Sequence, residues 1–187
     1  MKTIQVEITG ETPLLMNSPK GMLEEAPSIV QKTAKRDYKA LAEAVAYRTK
    51  KGILYCPSTA IKGCLINASS FKKIGKYSAK PIIAGGLRIV PEEIEVLDAK
   101  GKPQKDYEID LRTVVLMRKD RIIKARPKIL EWKLAFEIKF NDQMIADAEI
   151  IKVILTEAGE RIGILDFAPR HNGDFGCFKI TKWKVTD

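Results

Sequence analysis

The residues best suited to chemistry lie late in the chain. The one histidine, His171, sits in Pro169-Arg170-His171-Asn172-Gly173-Asp174. An imidazole beside arginine, asparagine and glycine can act as a general base toward an RNA 2′-hydroxyl, or can contact or stack on a base. A plain surface loop is the third reading. Gly159, Gly163, Gly173 and Gly176 punctuate the same stretch, together with Arg161, Arg170 and Asn172. Such a loop suits close approach to a phosphate backbone, where larger side chains would obstruct. Upstream, Arg118-Lys119-Asp120-Arg121-Ile122-Ile123-Lys124-Ala125-Arg126-Pro127-Lys128 holds six basic residues. On a strand, Lys124, Arg126 and Lys128 share a face at roughly 6–7 Å intervals, comparable to successive phosphates of an extended single strand. The competing reading is an exposed sheet edge kept soluble by its charges. Ser58 and Lys62 fall at the start of an expected helix, where free amides and the helix dipole favour a phosphate.

Other chemistries find less support. Glu24-Glu25 and Glu92-Glu93 are adjacent in sequence, so their side chains diverge and neither makes an acid/base pair. Asp98, Asp106, Glu108 and Asp110 read most simply as a solvated acidic hairpin. Cys56, Cys64 and Cys177 form no C-x-x-C pair and read as small core residues. A zinc site is disfavoured with a single histidine. No phosphate-cradling G-x-G-x-x-G or Walker pattern occurs, so no nucleotide cofactor is expected, nor any other.

Charge points to a partner class. The 187 residues include 33 basic and 24 acidic ones, a net charge of +9. Between residues 31 and 80 stand twelve lysines and arginines against two acids, Asp37 and Glu43, so that segment alone carries +10. Such a regional excess fits a polyanion; the alternative is a solvated lysine-rich surface. No run of about 18 apolar residues exists to span a membrane. The first residues alternate as a strand does, unlike a signal peptide, so a cytoplasmic protein is expected.

The elements that must position these residues are readable in outline. Residues 2–9 alternate as a half-buried strand, and 10–21 form a loop. The spacing predicts a helix over 28–50, whose outer faces carry Lys32, Lys35 and Lys39. A short strand over 53–56 leads to a helix over 59–73, with Ser58 as N-cap. Strand-like pieces follow over 82–97, another strand over 109–117, then the basic ribbon. Glu131 to Phe140 alternates strictly, with Trp132, Leu134, Phe136, Ile138 and Phe140 on one side. A helix over 143–158, with a Met144, Ala148, Ile151, Leu155 and Ala158 stripe, is expected to stop at Gly159. The last strand, 178–185, shifts parity between Ile180 and Trp183, the mark of a bulge. The order reduces to βαββαβ: an α+β, ferredoxin-like antiparallel sheet with two packed helices. One domain over 1–187 is expected, with a helical insertion at about 27–51 and a hairpin insertion at about 90–117.

Three stretches carry a family resemblance. Tyr55-Cys56-Pro57-Ser58-Thr59-Ala60-Ile61-Lys62-Gly63 resembles the turn-into-helix signature of the RAMP superfamily, the RRM-like proteins of CRISPR effector complexes. Ile8-Thr9-Gly10-Glu11-Thr12-Pro13-Leu14-Leu15 is similar to its first strand and turn. Ile162-Gly163-Ile164 through Phe175-Gly176-Cys177-Phe178 resembles its C-terminal glycine-rich loop. The resemblance implies a self-associating subunit that grips RNA by its backbone through this motif and an adjacent basic surface. Cleaving members carry an aspartate after the first strand, whereas here the 10–21 loop offers Glu11. Processing nucleases of the superfamily place a histidine near the first helix, where this chain has none.

The expectation is therefore a non-catalytic binder of single-stranded nucleic acid, guide or target RNA, within a ribonucleoprotein. The residues expected to bind are Ser58, Lys62, Lys32, Lys35, Lys39, Arg118, Arg121, Lys124, Arg126, Arg170 and His171. The alternatives are an endoribonuclease using His171, a phage-type protein that coats or anneals single-stranded DNA, and a purely structural interaction module.

Overall fold

The computed structural model describes residues 1–20, 37–115 and 121–186. The first strand, β1 (Lys2–Gly10), buries Ile4, Val6 and Ile8 and turns the intervening residues outward. On one side it pairs with β10 (Lys133–Phe140), antiparallel, from Lys2 opposite Phe140 to Thr9 opposite Lys133. On the other side lies β11 (Phe178–Thr186). Glu7 faces Lys182 and Ile8 faces Ile180, so Thr181 is an extra residue, the bulge that the parity shift announced. Beyond β10, β6 (Leu87–Val90) and β7 (Glu93–Leu97) pair with its two halves, and β3 (Tyr55–Pro57) closes that edge. The six-stranded sheet runs β11-β1-β10-β7-β3, with β6 also on β10.

Two helices complete the plan. α2 (Ser58–Ala68) connects β3 toward β6, and α4 (Ala148–Glu157) connects β10 to β11. They bury Ile61, Cys64 and Leu65, and Ile151, Ile154 and Leu155, in one core with Ile4, Ile8, Leu134 and Ile138. The fold is α+β and ferredoxin-like, as the periodicity indicated. A second, three-stranded sheet, β2-β9-β8, joins β2 (Leu14–Leu15), β8 (Glu108–Val115) and β9 (Arg121–Ile129). Helix α1 (Tyr38–Ala44) packs on β9. Among the described residues no helix is long and apolar enough to cross a membrane.

Several boundaries differ from those the sequence predicts. Of the expected 28–50 helix, residues 28–36 lie outside the described residues. Within the rest, Asp37 caps α1 by accepting from the amides of Lys39 and Ala40, and the helix ends at Val45. Arg48 then bridges to Leu54 in strand fashion. Ser58 is not an N-cap: Pro57 holds that position, and the Ser58 amide donates to the Glu92 carbonyl at 2.8 Å. Residues 79–86 form a helix, α3 (Ala79–Gly86), not a strand. Its buried Ala79, Ile83 and Gly86 follow the 4-then-3 spacing of a helical stripe, which an apolar run with two glycines disguises.

The last helix starts at the Asp147 cap, not at 143. Asn141 instead closes a turn on the Gln143 amide, which buries Ile145 and leaves Met144 42% exposed. Gly159 does not end the helical path either. A wider turn, Ala158–Ile162, follows, and Gly163 at φ 67° ends it. Gly159 serves packing: a Cβ there would lie 2.1 Å from the Phe178 carbonyl oxygen.

Candidate nucleic-acid interface

The basic hairpin and the glycine loop meet face to face. In the β8–β9 register Asp110 opposes Arg126, Arg112 opposes Lys124, and Glu108 opposes Lys128, so these six share one side. That side lies under the 163–177 loop. The Arg112 guanidinium sits 4.7 Å from the Phe175 ring centre and 5.8 Å from that of Phe167. Arg126 stacks 4.8 Å from the Phe167 centre, with Nε 2.8 Å from Asp166 Oδ2. Cations over ring faces and paired carboxylates hold the loop to the ribbon.

The loop itself is tightly wound. Leu165, Phe167 and Asn172 all adopt positive φ, a conformation that costs non-glycine residues of order 1–3 kcal/mol each and persists only where surroundings enforce it. The enforcement is visible. Asp166 donates its amide to the Leu15 carbonyl at 3.1 Å, and Gly176 donates to Pro13 at 2.9 Å. Phe175 donates to Phe167 at 3.0 Å. The glycines serve this winding. A Cβ at Gly173 would lie 2.0 Å from the Phe167 oxygen, and one at Gly176 would lie 2.1 Å from the Ile164 oxygen. Their expected role, clearing space for a phosphate backbone, is therefore corrected: they clear space for the loop's own backbone.

The loop also reaches α2. Pro169–His171 forms a 3₁₀ turn, and Arg170 Nη1 lies 3.9 Å from where a Cβ on Gly63 would stand. The motif helix and the glycine loop, more than 100 positions apart in sequence, thus converge at Gly63 and Arg170, with Lys62 the adjacent residue on the helix. Burial pushes the Cys64 thiol up to about 12, and the nearby Arg170 charge opposes that shift. Lys62 is half-buried and has no ion pair or hydrogen bond among the described residues. The helix start is less electropositive than its dipole alone implies. Burial raises the phenol of Tyr55, one strand residue earlier, and the charges of Glu93 and Glu92 raise it further.

The expected binding residues fall into four groups. Lys62, Arg170, Lys124 and the exposed His171 lie on or beside this junction, with Ser58 half-buried at the helix start. Lys39, on α1, and Arg121, at the beginning of β9, are exposed, but Arg121 pairs opposite Val115 on the other side of the ribbon. Arg126 is a correction: it is 3% exposed and committed to Asp166 and Phe167, so it builds the fold and does not meet a ligand. Its approach to Asp166 is oblique, and neither Nε nor Nη1 meets hydrogen-bond geometry. Lys32, Lys35 and Arg118 lie outside the described residues.

Sequence reasoning missed Arg112, although its alternation with Asp110 on a strand, each facing a cation of the ribbon, was a legible sign. It also missed a network at the far end of the hairpin. There Arg48 bonds Glu43, Tyr107 donates to Glu43 at 2.7 Å, and Arg48 lies 5.5 Å from the Tyr107 ring centre. The Arg48 hydrogen bond, ahead of Tyr107's, holds the Glu43 carboxyl below its usual range. Among the described residues no three His, Cys, Asp or Glu side chains gather where they could hold a metal ion.

No protein-family model matches the chain, and no curated protein sequence matches it. Its fold does have solved neighbours. One is a chain of the cryo-EM structure of the Type III-B Cmr-beta bound to cognate target RNA, with a TM-score of 0.64 and 15% identity. The match covers all of this chain and 61% of that one, so this chain spans under two thirds of its neighbour's length. At that identity the likeness is one of fold: both chains share the α+β architecture of this βαββαβ core.

Proposed function

We propose that this protein binds single-stranded RNA, guide or target, through its phosphate backbone, as a self-associating cytoplasmic subunit of a CRISPR-type ribonucleoprotein. One observation carries the reading. The signature-like helix, which carries Lys62, and the glycine-rich loop meet where Arg170 approaches Gly63, and the same loop lies against the Lys124 side of a basic ribbon, held there by Arg112, itself paired with Asp110. Cations suit a polyanion, and their spread over separate elements suits an extended backbone more than a single phosphate. The neighbour's architecture supports the same assignment. The chain acts as one unit, with the helix region near 27–51 and a hairpin region at about 90–117 as additions to the core.

Binding is preferred over cleavage because His171, though exposed on the right loop, stands without a second acid or base bonded to it among the described residues. The reading is tested by fluorescence anisotropy of labelled single-stranded RNA and DNA at low salt. Binding that favours RNA is expected. Equal or tighter DNA binding would move the assignment to a single-stranded-DNA protein, since 2′-hydroxyl contacts discriminate the two. No binding to either would end it. RNA cleavage abolished by H171A would make the protein a nuclease.

A further inference from the structure

At the opposite end of α2 from Lys62, the chain projects two aromatic rings into solvent. After Ala68 it makes a 3₁₀ turn (Ser69–Phe71) and a two-strand hairpin, β4 (Lys73–Ile74) and β5 (Tyr77–Ser78). Phe71 is 99% exposed and Tyr77 73%. Leaving a phenylalanine side chain in water forgoes about 1.5–3 kcal/mol of burial, and two large rings bared within seven residues mark a surface for an occupant.

The projection is firmly held. Ser69 Oγ donates to the Ile66 carbonyl at 2.8 Å, and the Ala79 amide donates to the Lys72 carbonyl at 2.9 Å. Lys72 is ion-paired with Glu157 on α4. Gly75 takes the positive φ of 61° that closes the two-residue turn, and Ile74 packs on the core. The rings are therefore presented by a built element.

Charge decides between occupants. From Ser69 to Lys80 there are four lysines and no acid. Lys73, Lys76 and Lys80 are exposed, with no partner among the described residues. A rigid, positively charged element carrying bare aromatic faces matches the requirement of single-stranded nucleic acid, which offers phosphates to the lysines and bases to the rings. An apolar protein partner would gain nothing from three unpaired lysines around the contact.

We infer that Phe71 and Tyr77 form a base-stacking platform, with Lys73, Lys76 and Lys80 as its phosphate contacts. The element that carries the platform begins about 9 Å along α2 from Lys62. This rests on the nucleic-acid reading above and adds a second, base-directed contact to a backbone-directed one.

The test is anisotropy with a labelled single-stranded RNA and with the same strand carrying abasic sites, using wild type, F71A/Y77A, F71W and K73A/K76A. The aromatic double variant should bind the normal strand about 5- to 100-fold more weakly. Its salt slope should stay unchanged, because stacking releases no counterions. F71W should bind at least as well as wild type. Wild type should lose affinity for the abasic strand, while F71A/Y77A should not distinguish the two strands. K73A/K76A should lower the salt slope. Melting temperature should hardly move in F71A/Y77A, since Phe71 is 99% and Tyr77 73% exposed. The inference is overturned if F71A/Y77A binds both strands as wild type does, or if it alters self-association and leaves affinity intact. Failure of wild type to bind any single strand would instead overturn the functional reading beneath it, and this platform with it.

Discussion

Removing Arg126 should cost stability first and binding only in consequence. Its guanidinium is 3% exposed, faces the Phe167 ring and pairs with Asp166, itself 23% exposed. Truncating one member of a fully buried ion pair costs about 3–5 kcal/mol, because the other charge is stranded. Two features lower that here. Asp166 keeps part of its hydration, and the Nε–Oδ2 approach lacks hydrogen-bond geometry. About 2–4 kcal/mol is therefore expected for R126A, part of it from the lost cation–ring contact. For a chain of this size that is a fall of roughly 5–15 °C in Tm. The assay is thermal and urea unfolding of R126A, D166A and R126A/D166A. The double variant should recover part of the loss, since no charge is then stranded. A Tm change under about 2 °C for R126A, with nucleic-acid binding abolished, would refute the reasoning and return Arg126 to the binding surface.

Three further outcomes follow from the same geometry. G173A and G176A should each lose about 2–3 kcal/mol in urea unfolding, since their Cβ atoms would meet loop backbone oxygens. G75A, strained but with open space around it, should lose only about 1 kcal/mol. In native protein at pH 8, iodoacetamide should label Cys177 before Cys56 or Cys64, because burial holds the Cys64 thiol at about 12 and pushes Cys56 higher still. Labelling of Cys64 at a free-thiol rate would contradict this. A thiol raised in the folded state contributes stability that is full below its unfolded pKa, so stability should fall as pH rises from about 9 toward 12. The Tyr107 phenol, pushed up to about 12 by burial and the Glu43 carboxylate, acts in the same direction.

The core strands were legible because burial imposes strict alternation on them. Residues 133–140 and 2–9 pair along nearly their whole length, and even the Thr181 bulge left its trace in the parity of Ile180 and Trp183. Helix ends were less legible, because local hydrogen bonds set them. The Asp147 cap overrides Asn141, and the Gly159 position is fixed by the Phe178 carbonyl across space. The site was legible as a set of residue types but not as a place. That Arg170 reaches Gly63 depends on the loop's path over β2, and that Arg126 is buried while Lys124 is not depends on Asp166 and Phe167 lying above one and not the other. Phe71 falls inside the helix expected over 59–73, which instead ends at Ala68, since periodicity cannot show where a helix stops short.

The central claim is that Lys62 and Arg170 together grip a nucleic-acid backbone. Its most direct test is the salt dependence of single-stranded RNA binding by wild type and K62A/R170A. Two lost phosphate contacts should lower the magnitude of the slope of log K against log salt by about 1.4. An unchanged slope and affinity in K62A/R170A would contradict the account.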